Sequence, residues 1–101
     1  MSLERILSSD GKTLTIVLDD KFDFSKVQEF RDTYSEDIDN VATVVVDLGN
    51  TEYMDSSALG MLLNMQKTLK EQVSEFQIVN SRPSVAKILQ ISRFDKKFTI
   101  K

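Results

Sequence analysis

The strongest constraint on the fold is the apolar, largely β-branched run Val41–Leu48, which is followed by a polar turn and a helical pattern. A short apolar run bounded by polar residues is typical of a buried strand. The turn covers 49–52, and apolar spacing predicts a helix from about Ser56 to about Gln72. A buried strand joined to an amphipathic helix is the repeating unit of parallel sheets, so the chain is predicted to be an α/β protein.

The other predicted elements extend this unit into a sheet of four or five strands. Leu3–Leu7 and the alternating residues Leu14–Leu18 flank an Asp-Gly turn and should form a hairpin. The remaining predicted elements are a helix over about 26–36 with a Ser25/Gln28 capping box, a strand over 76–79, a helix starting at Pro83 and a short strand over 98–100. Strands joined through helices should be parallel, which predicts a mixed sheet with its helices mainly on one face.

Composition narrows the classes of function. With 101 residues the chain is predicted to form one domain, 1–101. It has neither cysteine nor histidine, so disulfides are excluded and the commonest general base and metal ligand are missing. A net charge of −3 disfavours nucleic acid and anionic membranes as partners. No run is apolar enough to span a membrane, and residues 1–5 lack a signal-peptide pattern, so we expect a soluble cytoplasmic domain.

Asp55, Ser56 and Ser57 stand where the second predicted helix begins. A carboxylate or hydroxyl at this position accepts a hydrogen bond from a free backbone N–H and stabilises the helix by about 1 kcal/mol. One residue is sufficient for capping, and Asp55 or Ser56 can provide it, which leaves Ser57 in the first turn with its hydroxyl outward. Capping therefore accounts for one or two of the three residues.

A helical wheel divides the second helix into two faces. The predicted inward face consists of Ala58, Leu59, Leu62, Met65, Leu69 and Val73. The predicted outward face consists of Ser57, Gly60, Met61, Asn64 and Thr68. Glycine inside a helix costs about 1 kcal/mol relative to alanine, so Gly60 and an outward Met61 beside a hydroxyl suggest a contact surface for a partner. The alternative is that Gly60 relieves crowding against a loop and that Met61 is one scattered apolar residue.

Enzymatic interpretations have little support in these residues. A nucleophilic serine needs a base, and no lysine lies near Ser57 in the sequence; Lys67 is about three turns along the same predicted helix. Asp19, Asp20 and Asp47 end neighbouring predicted strands and could form an acidic pocket like that of a phosphate-accepting receiver domain, but aspartates there are more often turn residues. The sequence has no glycine-rich phosphate loop, and neither a metal nor another cofactor is expected.

From Asp55 to Gly60 the sequence resembles the STAS domain family, as found in bacterial anti-sigma factor antagonists. The family hallmark Asp-Ser-Ser/Thr-Gly-Leu-Gly corresponds here to Asp-Ser-Ser-Ala-Leu-Gly. The resemblance continues over nearly the whole chain, in the apolar strand before the motif and in residues 21–23, 83–89 and 98–100. The chain departs from the family at Ala58, which replaces glycine, and at Asp20, where the family often has glycine. Aspartate tolerates a left-handed backbone better than most residues.

The resemblance implies a protein-binding switch rather than an enzyme. In the family the second hydroxyl residue of the motif is phosphorylated, which here is Ser57. The partner is typically an anti-sigma factor that is also the serine kinase, and a PP2C-type phosphatase removes the phosphate. The unphosphorylated domain binds its partner, and phosphorylation blocks binding.

The motif, the turn at Asp23 and the outward face of the second predicted helix together give the residues that we expect to contact the partner. The expected contact residues are Asp23, Asp55, Ser56, Ser57, Gly60, Met61 and Asn64. We expect Asp55 to cap or position the helix and the protein to be a monomer or weak dimer. The alternative within the same fold is a non-switching STAS subunit of a transport complex or another signalling complex.

Overall fold

The computed structural model describes residues 3–101. Met1 and Ser2 lie outside the described residues. They belong to residues 1–5, the segment without a signal-peptide pattern. Across the described part of the chain, no helix is both long enough and apolar enough to cross a membrane. The predicted fold class is confirmed, because the structure is an α/β domain with a five-stranded mixed sheet and three α-helices.

The middle strand of the sheet is β4 (Thr43–Asp47), as its apolar sequence predicts. It pairs in parallel with β2 (Thr13–Val17) on one side and with β6 (Glu75–Val79) on the other. β1 (Glu4–Leu7) is antiparallel to β2 at one edge, and β7 (Thr99–Ile100) is parallel to β6 at the opposite edge. The predicted hairpin, the parallel strands and the short last strand are therefore confirmed.

The three α-helices are α1 (Val27–Thr33), α2 (Ser56–Leu69) and α3 (Pro83–Ile91). A second, two-stranded parallel ladder, which the sequence did not predict, joins β3 (Lys21–Phe22) to β5 (Tyr53–Met54). Strands of two residues are too short to show an alternating pattern, which is why periodicity missed them. Each strand of this ladder leads into a helix, β3 into α1 and β5 into α2.

One face of the main sheet forms the core. In register across the three central strands lie three pairs of buried apolar residues: Leu14 and Ile16, Val44 and Val46, and Phe76 and Ile78. Apolar residues from all three helices belong to the same buried cluster. The alternate residues of the strands, such as Thr15, Val45 and Gln77, are only half-buried. The helices therefore cover mainly one face, as predicted.

The first helix is shorter than predicted and begins differently. Asp23, not Ser25, is the capping residue: its carboxylate accepts hydrogen bonds from the backbone N–H and the hydroxyl of Ser25 and opens a 3₁₀ turn, Phe24–Lys26, that runs into α1. The predicted capping box is wrong because the Ser25 hydroxyl is already donated to Asp23. At the other end the Arg5 guanidinium from β1 donates to the carbonyl of Thr33 over 2.8 Å, so the end of α1 is held by a distant strand.

Met61 is the one predicted contact residue that the structure contradicts. It was expected to face outward, but it is buried, with only 7% of its surface exposed. The buried arc of α2 comprises Ala58, Met61, Leu62, Met65 and Leu69. Leu59, expected at the inward face, is only partly buried. Because Leu59 and Met61 are both apolar, the sequence does not decide how far the helix is rotated about its axis, and packing turned it toward Met61.

Replacing Met61 by alanine is therefore expected to lower the free energy of unfolding by about 3 kcal/mol, since the deletion leaves a cavity in the core. Leu63→Ala is the matched control, because Leu63 is on the same helix and is 38% exposed; its loss should stay below about 1 kcal/mol. Urea unfolding of both variants measures the difference. Equal small losses would mean that Met61 faces solvent.

Candidate functional site

The two short strands place Asp23 and Asp55 at the same end of one ladder. Phe22 on β3 lies opposite Met54 on β5, and each strand is followed directly by one of these aspartates. Both Phe22 and Met54 are buried, which anchors the ladder to the core. The backbone N–H groups of Glu52 and Tyr53 donate to the carbonyl of Asp20, which ties the loop before β5 to the loop before β3. Two Asp-x-Ser turns thus start side by side.

Asp55 caps α2, as expected, and also holds Ser57. Its Oδ1 accepts a hydrogen bond from the backbone N–H of Ala58 at 3.0 Å and another from the Ser57 hydroxyl at 2.6 Å. Ser57 is half-buried, whereas Ser56 is exposed. The Ser57 hydroxyl is therefore turned toward the carboxylate rather than freely outward, and its orientation is set by the same group that begins the helix.

The electrostatics of this pair follow from the hydrogen bonds. The Ser57 hydroxyl holds the pKa of Asp55 below its usual range; desolvation opposes this effect, and weaker hydrogen bonds from backbone N–H groups at the start of α2 add to the lowering. Asp55 is therefore ionised at neutral pH and acts as a hydrogen-bond acceptor. A carboxylate with a lowered pKa is a weak base. Asp55 is therefore better suited to orient the hydroxyl for modification than to remove its proton for hydrolysis.

A second Asp-centred turn is braced by an ion pair. The Lys26 ammonium pairs with Asp19 and also donates to the carbonyl of Lys21 at 3.0 Å. This pairing, led by the Asp19 hydrogen bond, raises the pKa of Lys26. Thr51, buried in the facing loop, donates to the carbonyl of Asp19 at 2.8 Å. The loop that ends in Asp23 is consequently fixed against the loop that leads to Asp55.

Of the other predicted contact residues on α2, Gly60 and Asn64 are exposed. A Cβ built on Gly60 would have no heavy atom within 4 Å from outside its own helix. Crowding against a loop therefore does not explain this glycine, and the fold itself has no need of it. Asn64 lines an open depression of about 420 Å3 between α1 and α2, with Tyr34 and Thr68 among its other walls.

Two exposed aromatic residues lie beside the motif and were not predicted from the sequence. Phe24 is 67% exposed in the turn after Asp23, and Tyr53 is 51% exposed two residues before Asp55. Strand alternation gave no signal for Phe24, because residues two apart lie on the same face of a strand and Phe22 is buried. Phe24 is exposed because β3 ends at Phe22 and the chain turns into a 3₁₀ helix at Phe24. Large exposed aromatic side chains that flank a polar centre are typical of protein contact surfaces.

The acidic-pocket interpretation has no geometry to support it. Asp19 pairs with Lys26, and the Oδ1 of Asp47 accepts hydrogen bonds from the Gly49 backbone N–H at 2.9 Å and from the Asn80 amide at 3.2 Å. Within residues 3–101 there is no group of three or more carboxylates that could hold a metal ion. Asp20 needs no left-handed backbone, because the non-glycine residues of positive φ in this part of the chain are Asp37, Asn80 and Arg93.

Comparison with known proteins now identifies the class. The STAS domain family model matches residues 5–101. A STAS-domain containing protein of Pseudomonas aeruginosa (strain UCBPP-PA14) is 41% identical over 100 residues, which cover 99% of both chains. The chain belongs to the STAS domain family, which confirms the family suggested by its sequence motif.

Solved structures agree in fold. The anti-sigma factor antagonist SpoIIAA in its unphosphorylated form superposes with a TM-score of 0.82 at 22% identity, covering 99% of this chain and 88% of that one. The Bacillus cell fate determinant SpoIIAA in its phosphorylated form gives a TM-score of 0.75 at 22% identity, covering 99% of this chain and 91% of that one. At this level of identity the likeness establishes the fold alone.

The Ser57–Asp55 contact makes a prediction about titration. Ser57→Ala removes the largest contribution to the lowered pKa, so the pKa of Asp55 should rise toward its ordinary value. A carboxylate of depressed pKa stabilises the fold above its unfolded pKa, and this stability is lost as the pH falls through the folded pKa. The variant should therefore lose less stability on acidification than the wild type.

Carboxyl ¹³C NMR titration of Asp55 measures this pKa directly. Ser56→Ala is the matched control, since it removes a neighbouring hydroxyl and should leave the titration unchanged. An unchanged pKa in Ser57→Ala would show that the hydroxyl does not bind the carboxylate in solution.

Proposed function

We propose that this protein is a phosphorylation-controlled binding module of the anti-sigma factor antagonist type and not an enzyme. Its unphosphorylated form binds an anti-sigma factor that is also a serine kinase, phosphorylation of Ser57 blocks binding, and a PP2C-type phosphatase reverses the block. The observation that carries the proposal is the Ser57 hydroxyl held at 2.6 Å from Asp55 at the first turn of α2. The existence of the related fold of SpoIIAA in unphosphorylated and phosphorylated forms supports it.

The helix start is a favourable place for a phosphate. Phosphorylation adds about −1.5 to −2 charges at neutral pH and removes the Ser57 hydroxyl as a donor. The Asp55 carboxylate then lies beside a second anion, so the hydrogen bond between Ser57 and Asp55 is lost and the two groups move apart. The free N–H groups and positive dipole at the start of α2 stabilise both anions, and the domain keeps its fold.

A bound partner experiences the same phosphate differently. A partner whose surface fits the neutral Ser57 hydroxyl has to remove water from a dianion without offering a counter-ion. Burying such a charge unpaired costs several kcal/mol. A loss of about 3 kcal/mol already weakens binding more than a hundredfold. The switch therefore needs no change of fold, only a change of charge at one atom.

The proposed contact surface surrounds that atom. It consists of the expected residues Asp23, Asp55, Ser56, Ser57, Gly60 and Asn64, to which the structure adds the exposed aromatics Phe24 and Tyr53. Met61 is removed from it because the side chain lies in the core. Gly60 leaves an open flat area on α2 next to the phosphate acceptor, where a partner can approach the helix closely.

The phosphorylation site can be tested on protein isolated from its native cells. We expect a form heavier by one phosphate, with the phosphate on Ser57, because this hydroxyl is positioned while that of Ser56 is not held by Asp55. Intact mass and peptide fragmentation measure both. Ser57→Ala should abolish the heavier form and Ser56→Ala should keep it. A phosphate on Ser56 would contradict the assignment to Ser57, and no phosphate under any growth condition would favour the non-switching STAS subunit.

The block can be tested with immobilised Ser57→Ala and Ser57→Asp proteins as baits. A partner captured by the wild type should bind Ser57→Ala with little change and Ser57→Asp at least a hundredfold more weakly. Ser56→Asp adds the same charge one residue away and is the matched control, with a smaller loss. Equal affinity of Ser57→Asp and wild type would contradict the switch.

The aromatic residues give a separate test of where the partner binds. Phe24→Ala and Tyr53→Ala should each weaken binding of the captured partner by roughly tenfold or more, since exposed aromatic anchors dominate such interfaces. Ile91→Ala is the control, because Ile91 is 71% exposed at the end of α3. Titration calorimetry with each variant measures the affinities. An effect at Ile91 but not at Phe24 and Tyr53 would move the contact surface away from the motif.

A further inference from the structure

Charge is divided very unevenly along this chain. Residues 1–55 hold 13 of the 16 acidic residues and 5 of the 13 basic ones, a net charge of −8. Residues 56–101 hold the other 3 acidic and 8 basic residues, a net charge of +5. The overall charge of −3 conceals this division. Asymmetry of this size within one domain is a general sign of an interaction with a charged partner.

The strand order places the two parts largely on different sides of the sheet, although α1 and α2 are in contact. The acidic part forms β1, β2, α1 and the middle strand, while the basic part forms α2 and the opposite side of the sheet with β6, β7 and α3. In this basic part Leu63, Gln66, Lys67, Lys70 and Lys97 surround an open depression of about 320 Å3. We call these five residues the lysine face.

The lysine face is built on rigid elements. Three of its residues lie on α2, Lys70 is the residue that caps the end of that helix, and Lys97 follows the 3₁₀ turn Phe94–Lys96. Beneath that turn, the rings of Phe94 and Phe98 stack with their centroids 5.5 Å apart, and Phe98 packs edge-on against Phe76. Lys97 is therefore held next to α2 by the core and not by a loose terminus.

Intramolecular needs do not account for the lysine face. Lys67 and Lys70 near the end of α2 are favourable for the helix dipole, but Lys97 belongs to another element. Within residues 3–101 none of the three takes part in the one salt bridge found, which joins Lys26 to Asp19. Leu63 lies among these lysines and is 38% exposed. Stabilisation of the helix dipole does not explain an exposed leucine at this position. An apolar centre rimmed by unpaired cations is a recognition surface for an amphipathic anion.

We propose that the lysine face is a second binding site, and that it binds an acidic amphipathic segment of a protein partner. Carboxylates of the segment pair with Lys67, Lys70 and Lys97, and an apolar side chain of the segment packs on Leu63. A nucleic acid fits less well, because three lysines on a chain of net charge −3 neutralise few phosphates and leave Leu63 unused. A second copy of this chain would bring its acidic side, but a contact between two unlike surfaces leaves both surfaces free at the ends and produces open chains unless its rotation closes a ring.

The lysine face is separate from the phosphorylation site. Lys67 lies ten positions after Ser57 on α2, which is about 15 Å along the helix. The proposal does not depend on the switch: the lysine face is available whether or not Ser57 carries phosphate. A protein with both sites can hold one partner constantly while it releases another.

The test is an NMR titration of the ¹⁵N-labelled full chain with a synthetic helical peptide that carries leucines on one face and glutamates on the other. We expect shift changes confined to the lysine face, and binding at least about tenfold weaker when NaCl is raised to about 0.5 M.

Lys67→Gln/Lys70→Gln should weaken binding by about tenfold or more. Lys87→Gln/Lys101→Gln removes the same charge elsewhere and should change it less than twofold. Leu63→Ser should also weaken binding, and Ser57→Asp should leave it unchanged.

Several results would overturn the proposal. A peptide with scattered glutamates and no leucine that binds equally well would show that Leu63 contributes nothing and that only bulk charge is sensed. Tighter binding of a duplex DNA oligomer or of phosphatidylserine vesicles would assign the surface to a different class of partner. Concentration-dependent sedimentation of the free protein, lost in the Lys67→Gln/Lys70→Gln variant, would assign it to a second copy. Shift changes around Ser57 instead of Lys67 would leave no second site.

Discussion

The register of the middle strand determines where everything else in this domain lies. Val44 and Val46 of β4 are buried between parallel neighbours on both sides, so a shift of one residue would turn them out of the core and Thr43 and Val45 into it. With the register so specified, the carboxyl ends of the parallel strands meet at one edge of the sheet. The loops that leave this edge carry the two aspartates and the two hydroxyl groups of the site.

At that edge a single carboxylate has two tasks. Asp55 begins α2 by accepting the Ala58 N–H, and the same Oδ1 atom orients the Ser57 hydroxyl. Helix stability and presentation of the hydroxyl are thereby coupled through one atom. The short β3–β5 ladder repeats the arrangement at Asp23 and Ser25, and the buried Phe22 and Met54 hold the two turns together. The proposed phosphate acceptor is therefore supported by the core although it lies at the surface.

The mistaken predictions share one physical origin. Helix periodicity locates an apolar stripe, but it does not settle the rotation of α2 when Leu59 and Met61 on opposite borders are both apolar. Similarly, Ser25 and Asp23 both satisfy the residue preference for a helix start, and the carboxylate prevailed because it accepts two hydrogen bonds from Ser25. Arg5 at the end of α1 and the exposed Phe24 and Tyr53 depend on contacts between segments distant in the chain, which a local pattern does not contain.

The sequence by itself determined the α/β class, the order of the main elements, the central place of β4 and the family, because each of these follows from local hydrophobic patterns and one compact motif. It also directed attention to Ser57. Only the tertiary structure decided that this hydroxyl bonds to Asp55, that Met61 is buried, that two aromatic side chains flank the motif, and that Lys97 joins Lys67 and Lys70 around Leu63. These features depend on how elements are rotated and placed against one another, and that is set by the packing of the whole core.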